Sequence, residues 1–243
     1  GGEVRKILFC VFIFAAFLRA DWIDNAKTKA ESELKPLAGD VGSVLGGGFW
    51  SPTKKGGLLG FDVGIQVSAS GISDDNPVFT EDEKEGNLGA GWLYISKGIP
   101  FTRMDVFLRA MQSEMKNSDE KINFFGFGLE YNILKDRVIS PIPGISAVLG
   151  VNTLSVTGLD ATTTSIGLKA SKKLPIITPF VVIASEKTKM EIDAVGVKLE
   201  PEETRARILA GIEFRLIPFT YLDLAFSKTD EVTGFQISAG IKK

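Results

Sequence analysis

Charged side chains recur at every second position in several segments whose alternate positions are apolar. Successive side chains of a β-strand point to opposite faces, so the charged residues would share one face of each strand. Both signs of charge occur among them, which suits ion pairing or the binding of a small polar ligand in an enclosed space. The candidate binding residues are Arg103, Asp105, Arg109, Glu130, Arg205, Arg207, Glu213, Arg215 and Asp223.

Two of these carboxylates would suit acid–base chemistry if they met. A turn centred on Pro218 places Glu213 opposite Asp223 on the next strand. Facing carboxylates are a common acid–base arrangement in enzymes. Arg215 lies one pair nearer the turn, however, and its charge favours a structural ion-pair network, with ligand binding as the remaining alternative.

The chain of 243 residues contains no histidine, and its single cysteine is Cys10. The absence of histidine excludes catalytic triads and dyads built on imidazole and removes the commonest metal ligand. One cysteine forms neither an internal disulfide nor a zinc cluster. The net charge of −2 gives no reason to expect a nucleic-acid partner. We therefore predict a protein that is not an enzyme and that carries no metal or other cofactor.

The segment from Ser73 to Asn87 is rich in carboxylates. Their oxygens are the hard ligands that calcium prefers. The twelve-residue calcium loop with its central glycine is absent, so we predict a solvated acidic loop without a metal. Its charged residues are Asp74, Asp75, Glu81, Asp82, Lys84, Glu83 and Glu85.

A second small-residue motif consists of Gly39, Gly42 and the run Gly46–Gly48. It lacks the Gly-Lys-Ser/Thr ending of a phosphate-binding loop and does not follow a strand. These glycines are therefore predicted to form a flexible hinge between a helix and the rest of the chain.

The first twenty residues have the layout of a secretory signal peptide. Arg5 and Lys6 precede twelve apolar residues, Ile7 to Leu18, and cleavage is expected after Ala20. A helix that spans a membrane needs ~20 apolar residues, so this run is too short for an anchor. Residues 1–20 are thus predicted to be a signal peptide that directs export.

Residues 21–45 are predicted to form an amphipathic helix. Apolar residues such as Ile23, Leu34, Leu37, Val41 and Val44 recur at helical spacing. A Gly-rich connector, residues 46–59, follows. The helix would then either plug the domain formed by residues 60–243 or lie in the periplasm.

From residue 60 onward the apolar period changes from about four to two. The alternating segments are about ten residues long or longer, whereas ordinary strands have ~5–6 residues. A strand that crosses a bilayer needs ~9–11 residues. A soluble secreted β-sandwich also alternates, but its strands are short and its outer face is polar. We therefore predict that residues 60–243 form an all-β, antiparallel, up-and-down transmembrane β-barrel.

The phrase Ile-Pro-Phe-Thr occurs twice, at residues 99–102 and 217–220. Proline fixes φ and lacks an N–H donor, so each phrase is predicted to form a tight periplasmic turn. Phasing from the prolines predicts ten strands, or twelve if residues 44–50 and 189–203 also contribute strands. The ten predicted strands cover about residues 60–71, 86–96, 102–113, 121–134, 143–157, 161–173, 178–188, 204–217, 219–229 and 233–242.

Aromatic residues cluster near the predicted periplasmic turns. Outer-membrane barrels carry aromatic girdles at both membrane interfaces. The residues predicted for the inner girdle are Trp92, Tyr94, Phe101, Tyr131 and Phe219.

Three stretches resemble a family of uncharacterised Gram-negative outer-membrane proteins that carries a domain-of-unknown-function label. They read ELKPLAGDVGSVLGGGFWSPTKKGGLLGFDVGIQVSAS, ITPFVVIASEKTKMEI and RARILAGIEFRLIPFTYLDLAFS. The resemblance covers most of residues 31–243 and implies an outer-membrane β-barrel. It implies neither a substrate nor catalytic residues. This chain differs from such barrels in ending FQISAGIKK rather than on an aromatic residue.

The leading functional hypothesis is a porin-like barrel that binds or passes a small solute through a narrow or closed lumen. The alternatives are a barrel that acts through its extracellular loops and a soluble secreted β-sandwich. Expected partners are outer-membrane lipid, the barrel assembly machinery and a small-molecule solute. The expected location is the bacterial outer membrane.

Overall fold

The computed structural model describes residues 20–48, 50–52, 60–114, 121–136, 141–194, 197–215, 217–230 and 232–242. Residues 1–19 of the predicted signal peptide, with Cys10, lie outside the described residues. The strands are β1 (Phe61–Gly71), β2 (Asn87–Gly98), β3 (Met104–Glu114), β4 (Lys121–Leu134), β5 (Gly144–Val156), β6 (Leu159–Ser171), β7 (Ile177–Ala194), β8 (Val197–Leu199), β9 (Glu202–Phe214), β10 (Thr220–Thr229) and β11 (Val232–Lys242). The helices are α1 (Ala20–Ala26), a 3-10 helix (Glu31–Leu34), α2 (Lys35–Leu45) and α3 (Glu81–Lys84).

The strands close into an antiparallel barrel of ten long strands. Each long strand pairs with the next, β7 pairs directly with β9, and β11 pairs with β1. The short β8 pairs with the last residues of β7 and forms a hairpin beyond the barrel wall. The prediction of an up-and-down barrel of about ten strands is confirmed. The twelve-strand alternative is wrong, because residues 44–45 end α2, and β8, which lies within residues 189–203, pairs only with the end of β7.

The repeated proline phrase forms the same tight turn twice. Thr102 N donates to Ile99 O at 3.3 Å, and Thr220 N donates to Ile217 O at 3.1 Å. The third residue of each turn has a positive φ, 61° at Phe101 and 66° at Phe219. Proline at the second position and positive φ at the third are the features of a type II turn. We call the end of the barrel that carries these turns the proline end, and the opposite end, with residues 72–86, the loop end.

The outer face near the proline end is apolar, and we call this part of the barrel the proline half. Small and charged side chains point inward at the alternate positions. In β4, for example, Phe125 and Phe127 are exposed while Gly126 and Gly128 are buried. Exposed apolar residues of this band include Val63, Ile65, Leu93, Ile95, Leu108, Leu149, Val151, Ile166, Leu168, Val181, Ile183, Ile208, Leu224, Phe226 and Ile237.

The pattern is reversed in the half nearer the loop end, which we call the loop half. The outward residues of β6 and β7 are polar there: Asp160, Thr162 and Thr164, then Lys187, Lys189 and Glu191. The inward residues form an apolar core that includes Ile122, Phe124, Leu154, Val156, Leu159, Met190 and Ile192. A barrel with this pattern meets lipid along its proline half and water along its loop half. The closed barrel with its apolar band supports the predicted location in the bacterial outer membrane.

The N-terminal segment lies across the loop end and then runs through the lumen. Asn25 Nδ2 donates to Val78 O at 3.4 Å, and Glu200 N donates to Glu31 Oε2 at 3.2 Å, so residues 20–34 cover the loop end. α2 contacts β1, β2, β5, β6, β7 and β9, and therefore lies inside the barrel. Pro36 occupies the first turn of α2, where its missing N–H removes no helical hydrogen bond. No helix in the described part of the chain is both long and apolar enough to cross a membrane.

The glycines of this segment are packing positions. Gly39 and Gly42 lie within α2, so the prediction of a hinge at these two residues is wrong. A Cβ at Gly39 would overlap the side chain of Arg205, and one at Gly42 would overlap Thr188. Helical spacing places these glycines on one face, and this lets the α2 backbone approach the barrel wall closely.

Three of the five residues predicted for the inner girdle face outward, and the prediction is wrong for the other two. Phe101, Tyr131 and Phe219 are exposed at the proline end. Trp92 and Tyr94 are buried inside the barrel, because Leu93 and Ile95 occupy the outward positions of β2.

Candidate functional site

Three buried arginines hold α2 inside the barrel. Arg109 Nη2 donates to Leu45 O at 2.8 Å, and Arg109 Nη1 donates to Gly47 O at 2.6 Å. The last carbonyls of a helix have no partner within the helix and carry partial negative charge. The guanidinium of Arg109 satisfies them and lies 4.3 Å from the ring centroid of Trp92, a cation–π contact.

The other two arginines fix the middle and the C-terminal part of α2. Arg205 Nη1 lies 2.9 Å from Asp40 Oδ1. Arg207 binds both carboxylate oxygens of Glu186 at 2.8 Å and also donates to Ser43 O at 2.5 Å. Burying a charge costs free energy unless the charge is paired or hydrogen-bonded. The contacts of these three arginines therefore hold α2 against the barrel wall.

An aromatic layer lies on the proline-end side of α2 and fills the lumen. Trp50 is fully buried, and its Nε1 donates to Gly46 O at 2.9 Å. Gln236 Nε2 donates to Trp50 O. The side chains that pack with Trp50 in this layer are Tyr94, Phe107, Val148, Phe180, Val182, Leu209 and Ala225.

Below this layer, a polar cavity of about 220 Å³ lies at the proline end. Acidic and basic side chains both line it. Its wall includes Asp62, Asp105, Thr178, Arg215 and Lys242. A cavity of this size and polarity suits a small polar solute, because pockets for drug-sized ligands measure ~300–1,000 Å³.

Two sets of ion pairs lie toward the proline end. Glu130 Oε2 lies 2.7 Å from Lys169 Nζ, and both side chains are buried. Glu213 pairs with Arg215 Nε at 2.5 Å and with Lys242 Nζ.

Asp223 lies directly opposite Glu213 in the β9–β10 register, as predicted. Asp223 is fully buried, and neither of its carboxylate oxygens has a hydrogen-bond partner among the described residues. The pair therefore adjoins an ion-pair network, while one carboxylate stays without a donor.

The structure places eight of the nine predicted site residues in two groups. Arg109, Arg205 and Arg207 hold α2. A second group near the proline end consists of Asp105, Glu130, Glu213, Arg215 and Asp223. The placement of Arg103 in the lumen is wrong: it precedes β3 and is exposed in the turn, where its Nη1 donates to Ile133 O at 3.3 Å.

Several partners of these residues were not predicted from the sequence. Glu186 occupies an inward position of β7, so period-two alternation identifies it in retrospect. Asp40 and Trp50 have no such signal, because they lie on the threaded segment and meet the barrel only in the folded chain. Among the described residues, no group of three histidine, cysteine or acidic side chains is placed to hold a metal ion.

No protein-family model matches the sequence, and no curated protein matches it either. The resemblance to a family of uncharacterised outer-membrane proteins therefore stays a prediction.

Solved structures similar to this chain include a β-barrel domain, an attachment protein and a porin. The N-terminal β-barrel domain of Pseudomonas aeruginosa OprF is 10% identical, with 76% of this chain and 100% of that chain covered and a TM-score of 0.38. The attachment invasion locus protein Ail of Yersinia pestis is 13% identical, with 78% and 100% covered and a TM-score of 0.33. The KdgM porin is 7% identical, with 73% and 98% covered and a TM-score of 0.36. These values are low, so the fold assignment depends on the strand pairing of this chain itself.

Proposed function

We propose that the protein is a non-enzymatic outer-membrane barrel that binds a small polar solute at the proline end of a lumen closed at rest. The observation that carries this proposal is the charged cavity of about 220 Å³ beneath a filled lumen. Small size and mixed charge suit a small, charged or strongly polar solute.

Two features support closure at rest. α2 occupies the loop half, and the aromatic layer around Trp50 fills the lumen between α2 and the cavity. A solute that enters at the proline end is therefore stopped by the aromatic layer around Trp50. Passage through the barrel requires the threaded segment to move.

Planar-bilayer recordings test the closure. The wild-type protein should show no steady conductance. Gly42→Leu should conduct, because even a Cβ at this position overlaps Thr188 and the larger side chain displaces α2. Gly71→Leu is the matched control, since a Cβ there makes only ordinary contacts, and it should stay silent. A wide, steady wild-type channel would contradict a closed lumen.

Protection of an introduced thiol tests binding. Lys173 lines the cavity mouth, whereas Lys189 is exposed in the loop half. With mature protein in detergent, some members of a panel of small amines, acids, zwitterions and sugars should slow the labelling of Lys173→Cys. They should leave the labelling of Lys189→Cys unchanged. If no solute in the panel protects Lys173→Cys, the proposed binding function is wrong.

A further inference from the structure

We propose that the barrel has a second binding site, an apolar crevice that opens through the wall between β2 and β3 and takes the hydrocarbon chain of a single-chain amphiphile such as a fatty acid. The site lies in the loop half, apart from the charged cavity at the proline end, so it does not depend on the solute-binding function proposed above. Its basis is an early end to the pairing of two neighbouring strands in front of an apolar cavity.

The pairing of β2 with β3 ends partway along their hairpin. The proline turn at residues 99–102 joins the two strands, and their register ends at Leu93 and Ala110. Beyond this point β2 continues to pair with β1 as far as Asn87, and β3 continues to pair with β4 as far as Glu114. Among the described residues, the facing edges of β2 and β3 are therefore not paired with each other in the loop half.

An apolar cavity of about 30 Å³ lies behind this gap. It is lined from both sides of the gap, by Gly89 and Ala90 of β2 and by Met111 of β3. Apolar side chains of α2, β4 and β5 lie behind them, among them Phe124 and Leu154. A bound water needs several polar partners, and the described side chains of this lining offer none, so the cavity suits a hydrocarbon group. Its size favours one chain over the two chains of a phospholipid.

Met111 marks the mouth of the crevice. It occupies an inward position of β3, as do Phe107 and Arg109, which are only 4% and 0% exposed, yet Met111 is partly exposed. Its partner on β4, Phe124, is buried, so the exposure is local to the gap between β2 and β3. Methionine is unbranched and flexible, and its side chain can therefore move aside and enlarge a cavity that now holds only the end of a chain.

The mouth lies at the edge of the lipid-facing band. At the level of the last pair, the outward residues Leu93 and Phe125 are 67% and 53% exposed. The next outward residues toward the loop end are Gln112 and Asn123, and Gln112 Nε2 donates to Asn123 Oδ1 at 3.0 Å. Open sheet edges do not occur in the hydrocarbon core of a membrane, whereas water and polar head groups can satisfy them. A tail can therefore enter from the bilayer while its polar head stays at the level of Gln112.

Protection of a thiol at the mouth tests this inference. The mature protein with Met111→Cys is reconstituted in phosphatidylcholine vesicles and labelled with a small maleimide. Decanoate should slow the labelling about tenfold and butyrate should not, because each buried methylene strengthens binding about fourfold. The labelling of the exposed Lys189→Cys should stay unchanged with both probes.

Two alanine variants distinguish binding in the crevice from binding on the outer surface. In the Met111→Cys background, Ala90→Leu places a larger side chain in the cavity and should abolish the protection by decanoate. Ala110→Leu is the matched control, because Ala110 is exposed on the outer face, and it should leave the protection unchanged. Heat-modifiable migration of each variant verifies folding.

Cysteine pairs test the gap itself without changing the cavity. Ile95→Cys with Leu108→Cys replaces a pair in register, and mild oxidation should join the two cysteines. Gly91→Cys with Gln112→Cys lies on the same face beyond the last pair and should stay reduced, since a disulfide needs Cα atoms about 4.4–6.8 Å apart. Ready oxidation of the second pair would mean that the wall is closed there.

Three further results would overturn the inference. Equal protection by butyrate would show that the head group rather than the chain is bound. Resistance of Met111→Cys to labelling without decanoate would mean that phospholipid or the protein itself already closes the crevice. Absence of protection by decanoate would mean that no chain enters. None of these results bears on the proline-end cavity, which is tested through Lys173→Cys.

Discussion

Among single residues, the interior is held together by buried charges that are paired or hydrogen-bonded inside the barrel. Arg109 is the most enclosed example: its guanidinium bonds two backbone carbonyls at the end of α2 and the side chain of Asn152. Its fork of donors reaches several acceptors at once, which the single ammonium of lysine does less well. Arg109 therefore matters more for holding the plug than for binding a solute.

We expect Arg109→Lys to lower the free energy of unfolding by about 2 kcal/mol, the scale of lost hydrogen bonds to a charged group. Urea unfolding in detergent measures this change. Arg103→Lys is the matched control, because Arg103 is exposed and makes a long contact. Equal effects of the two substitutions would contradict the role of Arg109 at the end of α2.

Substitution of Asp223 is expected to raise stability, in contrast to substitution of Arg109. Its buried carboxylate lacks a hydrogen-bond partner in the described part of the chain and faces Glu213. Asp223→Asn replaces the buried carboxyl group that faces Glu213 with a neutral amide that can donate a hydrogen bond, so stability should rise by roughly 1 kcal/mol. The exposed Asp160→Asn should change little. A loss of stability in Asp223→Asn would mean that the carboxylate itself makes a favourable interaction.

Among the secondary-structure elements, α2 fits the lumen because one of its faces carries Gly39 and Gly42. In an exposed helix, Gly→Ala stabilises by about 1 kcal/mol through helix propensity. Inside the barrel, the contact of this face with β7 and β9 reverses the expected sign. The sign of the stability change caused by Gly→Ala in α2 therefore distinguishes a helix packed inside the lumen from one that lies free in the periplasm.

Gly42→Ala should destabilise the barrel by roughly 1–3 kcal/mol, the usual cost of overpacking. The overlap is with the side chain of Thr188, so Gly42→Ala combined with Thr188→Gly should cost less than the sum of the two single changes. A double-mutant cycle in urea measures this coupling. Purely additive effects would place α2 away from β7.

At the scale of the whole molecule, the barrel has two environments along its axis. The proline half is apolar outside and polar inside, and the loop half is polar outside and apolar inside. The loop half is thus built like a soluble protein around the N-terminal segment. The bilayer contacts only part of the length of strands such as β7, which has 18 residues.

Arginine on the outer face should distinguish the two halves. Val181→Arg, in the apolar band, should cost ~2–4 kcal/mol if it lies near the bilayer midplane. Thr162→Arg is also outward-facing but lies in the loop half, and it should cost almost nothing. Urea unfolding in lipid vesicles gives both values. Similar losses at the two positions would show that lipid covers the loop half as well.

Thiol labelling on intact cells tests the orientation in the membrane. Introduced cysteines at Lys189 and Asp24 lie toward the loop end, and one at Lys97 lies near the proline end. An impermeant reagent should label Lys189→Cys and Asp24→Cys but not Lys97→Cys. Labelling at Lys97 alone would mean that the barrel has the opposite orientation in the membrane. Labelling at Lys189 without Asp24 would contradict the exit of the N-terminal segment at the loop end.

The local features of the barrel follow from the sequence. Alternation with period two and the proline turns depend only on nearby residues, so strand positions, strand number and the opposition of Glu213 and Asp223 were predictable. The identical turns at Phe101 and Phe219 follow from one repeated phrase.

The contacts of each inward residue, in contrast, depend on how the closed barrel packs around the N-terminal segment. Alternation assigns residues to a face, but it does not say whether that face encloses water, a helix or an aromatic layer at a given depth. Asp40 meets Arg205, and Trp50 closes the lumen, because the N-terminal segment threads the barrel. The inward set at one depth comes together from distant strands only once the barrel closes, so no local pattern in the chain records it.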